Sequence, residues 1–289
     1  MSAKDAPPPL PEPLPVAVAD SHTHLDMQSG TVEEALTKAG LVGVETVVQV
    51  GCDLKGSRWA AETAAQYANV HAAVALHPNE APRIVLGDPD GWSRQGAREA
   101  GGDAALDDAL AEIDRLAALD HVKAVGETGL DHFRTGPEGK EAQERSFRAH
   151  IEIAKRHGKT LVIHDREAHD DVLRVLAEEG APERTVFHCY SGDADMARVC
   201  AERGYYMSFA GNVTFKNAQP LRDALAVAPL ELVLVETDAP FLTPAPYRGR
   251  PNAPYLIPVT VRAMADVRGV GEEAMATAIA ENTTRAFDY

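Results

Sequence analysis

Short apolar runs recur along the chain, separated by longer stretches in which apolar and charged residues share a helical period. The runs lie at 16–20, 45–50, 71–76, 122–125, 160–163, 184–187, 205–209 and 232–235, each too short for a helix. Where apolar they favour Val and Ile, and they lack the strict alternation of a half-exposed sheet. They therefore read as strands buried on both faces. Residues 141–157 place Phe147, Ile151 and Ala154 on one helical face and stop at Gly158. The stretches 171–179, 193–203 and 272–286 repeat the pattern, carrying Val172 and Val175, Met196 and Cys200, and Met275 and Ile279. Eight strands alternating with helices predict an α/β protein, a single (β/α)8 TIM barrel over residues 16–289. A doubly wound open sheet is the competing architecture, but no Gly-x-Gly-x-x-Gly follows the first strand. Residues 1–15, rich in proline, predict a flexible tail. The Gly/Pro/Asp-rich stretch 83–103 predicts a surface excursion after the third strand, with one short helix.

Composition narrows the setting. The 289 residues carry a formal charge of −16, with 45% apolar and 25% charged positions, as in an ordinary globular protein. No apolar run approaches the ~20 residues that cross a bilayer, so no membrane association is expected. The first 15 residues lack the apolar segment of a secretory signal, and three cysteines at unpaired spacing imply no disulfide framework. A cytoplasmic protein, monomeric and without an obligate protein partner, is expected. The acidic balance argues against avid non-specific binding to duplex DNA. A nucleic-acid substrate stays open, because bound divalent ions supply positive charge that a residue count misses.

The candidate chemistry lies at the strand ends. The first strand closes in Asp20-Ser21-His22-Thr23-His24, where alternation puts both imidazoles on one face. Glu127 follows the fourth strand, His164 the fifth, His188 the sixth and Asp238 the eighth. These six residues share the rim where barrel enzymes build their sites. Four imidazoles and two carboxylates suffice for two divalent ions if Glu127 bridges. Imidazole with carboxylate suits Zn²⁺, Mn²⁺ and similar metals, whereas an all-oxygen site favours Mg²⁺ or Ca²⁺. Asp238 could ligate one ion and also orient or deprotonate an attacking water. A single histidine at a strand end is ordinarily structural, and His71, His121, His157 and His169 receive no role. Suitable residues on five strand ends are a different matter.

The sequence resembles the TatD family of metal-dependent hydrolases, within the amidohydrolase-like superfamily. The motifs that carry the resemblance are Asp20 to Asp26 (DSHTHLD), Gly126 to Asp131 (GETGLD), His164 to Ala168 (HDREA), His188 to Gly192 (HCYSG) and Glu236 to Leu242 (ETDAPFL). Weaker matches at 211–216, 247–252 and 281–287 extend it to nearly the whole chain. The resemblance implies a two-metal site, with His22, His24, Glu127 and Asp238 on one ion and Glu127, His164 and His188 on the other. It implies two divalent ions per chain, Zn²⁺, Mn²⁺ or Mg²⁺. It also implies a deoxyribonuclease, working as a 3′–5′ exonuclease on single-stranded ends. D-aminoacyl-tRNA deacylation, or other acyl-ester or amide hydrolysis, is the alternative that the same residues would serve. A non-catalytic metal-binding barrel is a third reading, disfavoured because all six ligands are present. Asp238 and Glu127 are the expected catalytic carboxylates. Two departures stand out: the excursion at 83–103 is longer than the family pattern, and Tyr190 replaces the usual phenylalanine.

Arg166, Lys216, Arg248 and Arg250 are candidates for substrate phosphates, and Tyr190 for stacking on a base. Asp20, Asp131 and Glu236 are candidate orienting groups for imidazoles or ligands. Cys189 is expected to face away from the metals.

Overall fold

The computed structural model describes residues 6–87 and 99–289. Its strands are β1 (Val18–Thr23), β2 (Val44–Val50), β3 (Val70–Val74), β4 (Val122–Asp131), β5 (Thr160–Arg166), β6 (Thr185–Phe187), β7 (Tyr206–Phe209) and β8 (Val233–Val235). They form one sheet in the order β1 to β8. The chain just past β8 returns to β1 through a parallel bridge between Thr23 and Ala239. Helices fill the connections: α1 (Val32–Gly40), α2 (Leu54–Gln66), α3 (Glu80–Leu86), α4 (Gly102–Ala117), α5 (Lys140–His157), α6 (His169–Glu179), α7 (Ala194–Glu202), α8 (Gln219–Val227), α9 (Ile257–Arg268) and α10 (Glu272–Phe287). This is the (β/α)8 barrel that the apolar runs predict. No helix among the described residues is long and apolar enough to cross a membrane.

Two compact units are distinguished by contact density. The first comprises Met1–Gln49, Tyr67–His71 and Val186–Tyr289; the second comprises Val50–Gln66 and Ala72–Thr185. In the first, Val18, Val47, Met207, Val233 and Val235 of the strands are buried with Met264, Ile279 and Phe287 of the closing helices. Helix α1 starts at a capping box, with Thr31 Oγ1 accepting from the Glu34 N–H and the Thr31 N–H donating to Glu34 Oε2, both at 3.2 Å. In the second unit, Leu106, Ile113, Phe147, Ile151, Leu161 and Ile163 are buried together. Helix α5 ends at Gly158, whose φ of 61° requires glycine-like freedom.

Two expectations are corrected here. Residues 6–15 do not form a flexible tail. Arg250 donates to the carbonyls of Ala6 (2.9 Å) and Pro7 (2.6 Å), Tyr255 Oη to Pro8 (2.8 Å), and Arg262 to Glu12 (2.8 Å). Proline lacks an N–H but keeps its carbonyl, so a proline-rich strap can be held entirely as acceptor. Residues 1–5 lie outside the described residues. Strand β4 runs to Asp131 instead of ending at Val125, pairing Gly129 with His164 and Asp131 with Arg166. Of the excursion at 83–103, residues 88–98 lie outside the described residues; α3 supplies a short helix at its start.

Candidate metal centre

In the first unit, β1 and the turn after β8 converge. His22 and His24 are both buried, with their Nε2 atoms 3.3 Å apart. Asp238 Oδ1 lies 3.5 Å from His24 Nε2 and 3.9 Å from His22 Nε2. Donors held tetrahedrally on one ion at the usual Zn–N and Zn–O lengths are about 3.4 Å apart. The three donor atoms therefore have the spacing of a shared cation. Asp238 is held there in a left-handed backbone conformation (φ 50°), which costs a non-glycine residue about 1 kcal/mol. Its N–H donates to the His22 carbonyl at 2.9 Å, tying the aspartate to the strand that carries the imidazoles.

His188 follows β6 and stacks on His22, with centroids 3.9 Å apart and planes within 12°. Its Nδ1 donates to Glu236 Oε1 at 3.2 Å, which leaves Nε2 as the unprotonated nitrogen of a neutral ring. The Cys189 N–H also donates to that oxygen, at 2.9 Å. Glu236 is fully buried, and its Oε2 has no hydrogen-bond partner among the described residues. A buried carboxylate oxygen left this way is costly unless a cation or donor reaches it. Beneath the cluster, burial pushes the Asp20 carboxyl up to about 7, against the opposing pull of hydrogen bonds from Thr237.

In the second unit the donors are arranged differently. His164 Nδ1 lies 3.1 Å from Glu127 Oε2, and His164 Nε2 lies 3.3 Å from Asp131 Oδ2. Burial raises the Asp131 carboxyl, but His164, the Arg134 N–H and Asn79 together hold it well below the usual carboxylate range. The Nδ1 contact is the hydrogen bond: with its proton on Nδ1, His164 donates to Glu127, and Nε2 faces Asp131. This juxtaposition requires glycine at 129. A Cβ there would meet the His164 carbonyl oxygen at 2.1 Å, and φ is +137°.

The sequence reading assigned no role to His77, which lies just past β3. Its Nε2 is 3.8 Å from Glu127 Oε2, and its ring stands 4.5 Å from that of His164. His77 Nδ1 accepts the Asn79 N–H at 3.0 Å, so the neutral ring carries its proton on Nε2. The Nε2–H of His77 thus faces Glu127 at 3.8 Å, beyond hydrogen-bond reach. The signal in the sequence was the His77-Pro78-Asn79 step after the third strand. Cys52 Sγ also donates to Glu127, through Oε1 at 3.3 Å.

The chain matches the family model for TatD related DNase over residues 19–288. It belongs to that family. The Mycobacterium tuberculosis "uncharacterized metal-dependent hydrolase TatD" is 42% identical over 278 residues, covering 93% of this chain and 97% of the relative. The Bacillus subtilis "uncharacterized metal-dependent hydrolase YabD" is 35% identical over 272 residues, covering 93% and 98%. Among solved structures, the TatD homolog YJJV of Escherichia coli K12 superposes with a TM-score of 0.82 at 26% identity, covering 94% and 98%. The protein is accordingly a metal-dependent hydrolase of the TatD-related type, and its donor set suits a borderline divalent ion.

The substrate candidates divide. Tyr190 is only 1% exposed and its Oη donates to the Asp193 carbonyl, so it packs within the first unit and presents no face to a base. Arg250 is engaged by the N-terminal strap. Arg166 lies over the Phe133 ring at 3.9 Å and Arg248 over the Phe215 ring at 4.3 Å. Lys216 is exposed. Arg166 closes β5, and Lys216 and Arg248 follow β7 and β8.

Proposed function

We propose that this TatD-related hydrolase cleaves phosphodiester bonds in DNA, acting from the 3′ ends of single strands. The observation that carries the reading is the convergence of His22 Nε2, His24 Nε2 and Asp238 Oδ1 at the spacing of one coordinated cation. In this reading His22, His24 and Asp238 would hold a divalent ion, and Glu127, His164 and His188 are the further candidate ligands. Divalent ions there would acidify a water and neutralise charge on the phosphoryl oxygens. Asp238 orients that water and accepts its proton. Glu236 fixes the His188 ring through Nδ1, and Glu127 and Asp131 flank the His164 ring, so both imidazoles keep their orientation. Arg166 and Arg248, pre-oriented on aromatic rings, present planar guanidinium groups to backbone phosphates. Lys216 adds a point charge.

The test is degradation of a single-stranded oligonucleotide labelled at one end or the other, with Mg²⁺, Mn²⁺ or Zn²⁺ restored to stripped protein. Mononucleotide release from the 3′ end, blocked by a 3′-terminal phosphorothioate, is expected. Hydrolysis of D-aminoacyl-tRNA with no cleavage of any oligonucleotide would overturn the reading and install the acyl-ester alternative.

A further inference from the structure

Phe241 is 53% exposed although it follows the candidate ligand Asp238 by three residues. Its backbone is fixed on both sides. The N–H donates to the Asp238 carbonyl at 2.9 Å, and its own carbonyl accepts from Asn252 Nδ2 at 2.5 Å. The same buried Asn252 amide also donates to the Thr237 carbonyl at 3.0 Å. The ring stands edge-on to the His24 imidazole, with centroids 6.2 Å apart and planes at 72°.

Single exposed apolar side chains are ordinary, so the comparison with Phe133 matters. Phe133 is the other exposed phenylalanine among the described residues, and its N–H donates to the side chain of a site residue, Asp131 Oδ1, at 3.0 Å. The Phe133 face is covered by the Arg166 guanidinium; no cation lies over Phe241 among the described residues. Met27, three residues past His24, is likewise exposed. The ligand-bearing turns of the first unit thus carry two outward apolar groups, one of them a fixed planar ring.

We infer that Phe241 is the platform on which the terminal nucleobase of a single-stranded substrate stacks, setting that nucleotide's phosphodiester beside His24 and Asp238. The inference rests on the phosphodiester reading and adds the base as a recognised group. Every base offers a π-face, so the preference is for the presence of a base and not for its identity.

The experiment is a cycle of two substrates and two proteins. The substrates are an oligonucleotide with an ordinary 3′-terminal nucleotide and the same strand ending in an abasic one; the proteins are wild type and Phe241→Ala. Removing the base or removing the ring should each lower kcat/KM about tenfold, chiefly through KM, and removing both should add little. Phe241→Trp should behave like wild type, whereas Phe241→Leu, which keeps apolar bulk without a ring, should behave like Phe241→Ala. Binding without turnover gives a second readout: a terminal 2-aminopurine should lose fluorescence on metal-stripped wild type and Phe241→Trp, but not on Phe241→Leu. Additive losses, or a leucine variant equal to wild type, would overturn the stacking role and leave the phosphodiester reading standing. Metal-loaded wild type that cleaves neither strand would overturn both.

Discussion

The two donor clusters solve the same problem in different ways. In the first unit two imidazole nitrogens face each other at 3.3 Å with Asp238 beside them, and the buried Glu236 keeps one oxygen without a partner. Two imidazole nitrogens and a carboxylate oxygen at this spacing have the arrangement of donors around a shared cation. In the second unit His164 stands between two carboxylates, and His77 has its tautomer fixed by a backbone N–H. His164 there donates from Nδ1 to Glu127, with Asp131 beyond its other nitrogen. The first cluster therefore turns its donor atoms toward one another, whereas in the second the imidazoles are engaged with a carboxylate and a backbone N–H.

Ligand removal should break the comparison most strongly. His24→Ala is expected to lower hydrolysis on the order of a thousandfold, the scale of several kcal/mol that a metal contributes, and to lower metal content in atomic absorption. His164→Ala should match the activity loss, yet leave the ion held by His22, His24 and Asp238 in place. Equal metal loss in both variants would erase the distinction between the clusters.

Acid should act first on the second unit. His150 in α5 is fully buried, accepting the Leu76 N–H at Nε2 (3.1 Å) and donating from Nδ1 to the Ser146 carbonyl (2.7 Å). Burial pushes its pKa down to about 4, from 6.5, outweighing the Ser146 bond. The unfolded chain then binds more protons between pH 6.5 and 4, so this contribution is complete above pH 6.5 and is lost as pH falls through that window. The loss should total roughly 3 kcal/mol. Urea midpoints at pH 7 and pH 4.5 should separate, and His150→Gln should narrow the gap.

The orienting carboxylates offer a finer contrast. Glu236→Gln and Asp131→Asn should each weaken metal binding about 10- to 100-fold, as loss of a group behind a ligand does. The Glu236→Gln effect should be the larger, because its second oxygen also lies without a hydrogen-bond partner among the described residues, grouped with His22 and His188. Titration of stripped variants with Mn²⁺ measures both. The smallest effect is a control: Thr31→Ala removes the α1 cap, should cost ~1 kcal/mol in stability, and should leave metal affinity unchanged.

The barrel was legible because buried parallel strands write themselves as short Val- and Ile-rich runs, and the strand ends then locate the polar residues. The length of β4 was not legible. Its second half is sustained by Gly129 lying against the His164 carbonyl, a contact between residues far apart in sequence. His77 escaped because its role depends on a bond from Asn79 and on Glu127, neither visible as periodicity. The strap at 6–15 escaped for a related reason: proline clusters resemble disorder until the arginines and tyrosine that hold their carbonyls, more than 230 residues away, are in view. Arg250 shows the converse, a loop cation that sequence offers to phosphate and the fold commits to its own backbone.

The most direct test titrates metal-stripped protein with Mn²⁺ and follows ion binding and oligonucleotide hydrolysis in the same samples, for wild type and Asp238→Asn. Activity should rise in step with occupancy in wild type. It should stay near background in Asp238→Asn even when metal-loaded, because the group proposed to orient and deprotonate water is gone. Undiminished hydrolysis by the stripped protein, or by the Asp238→Asn variant, would contradict the account.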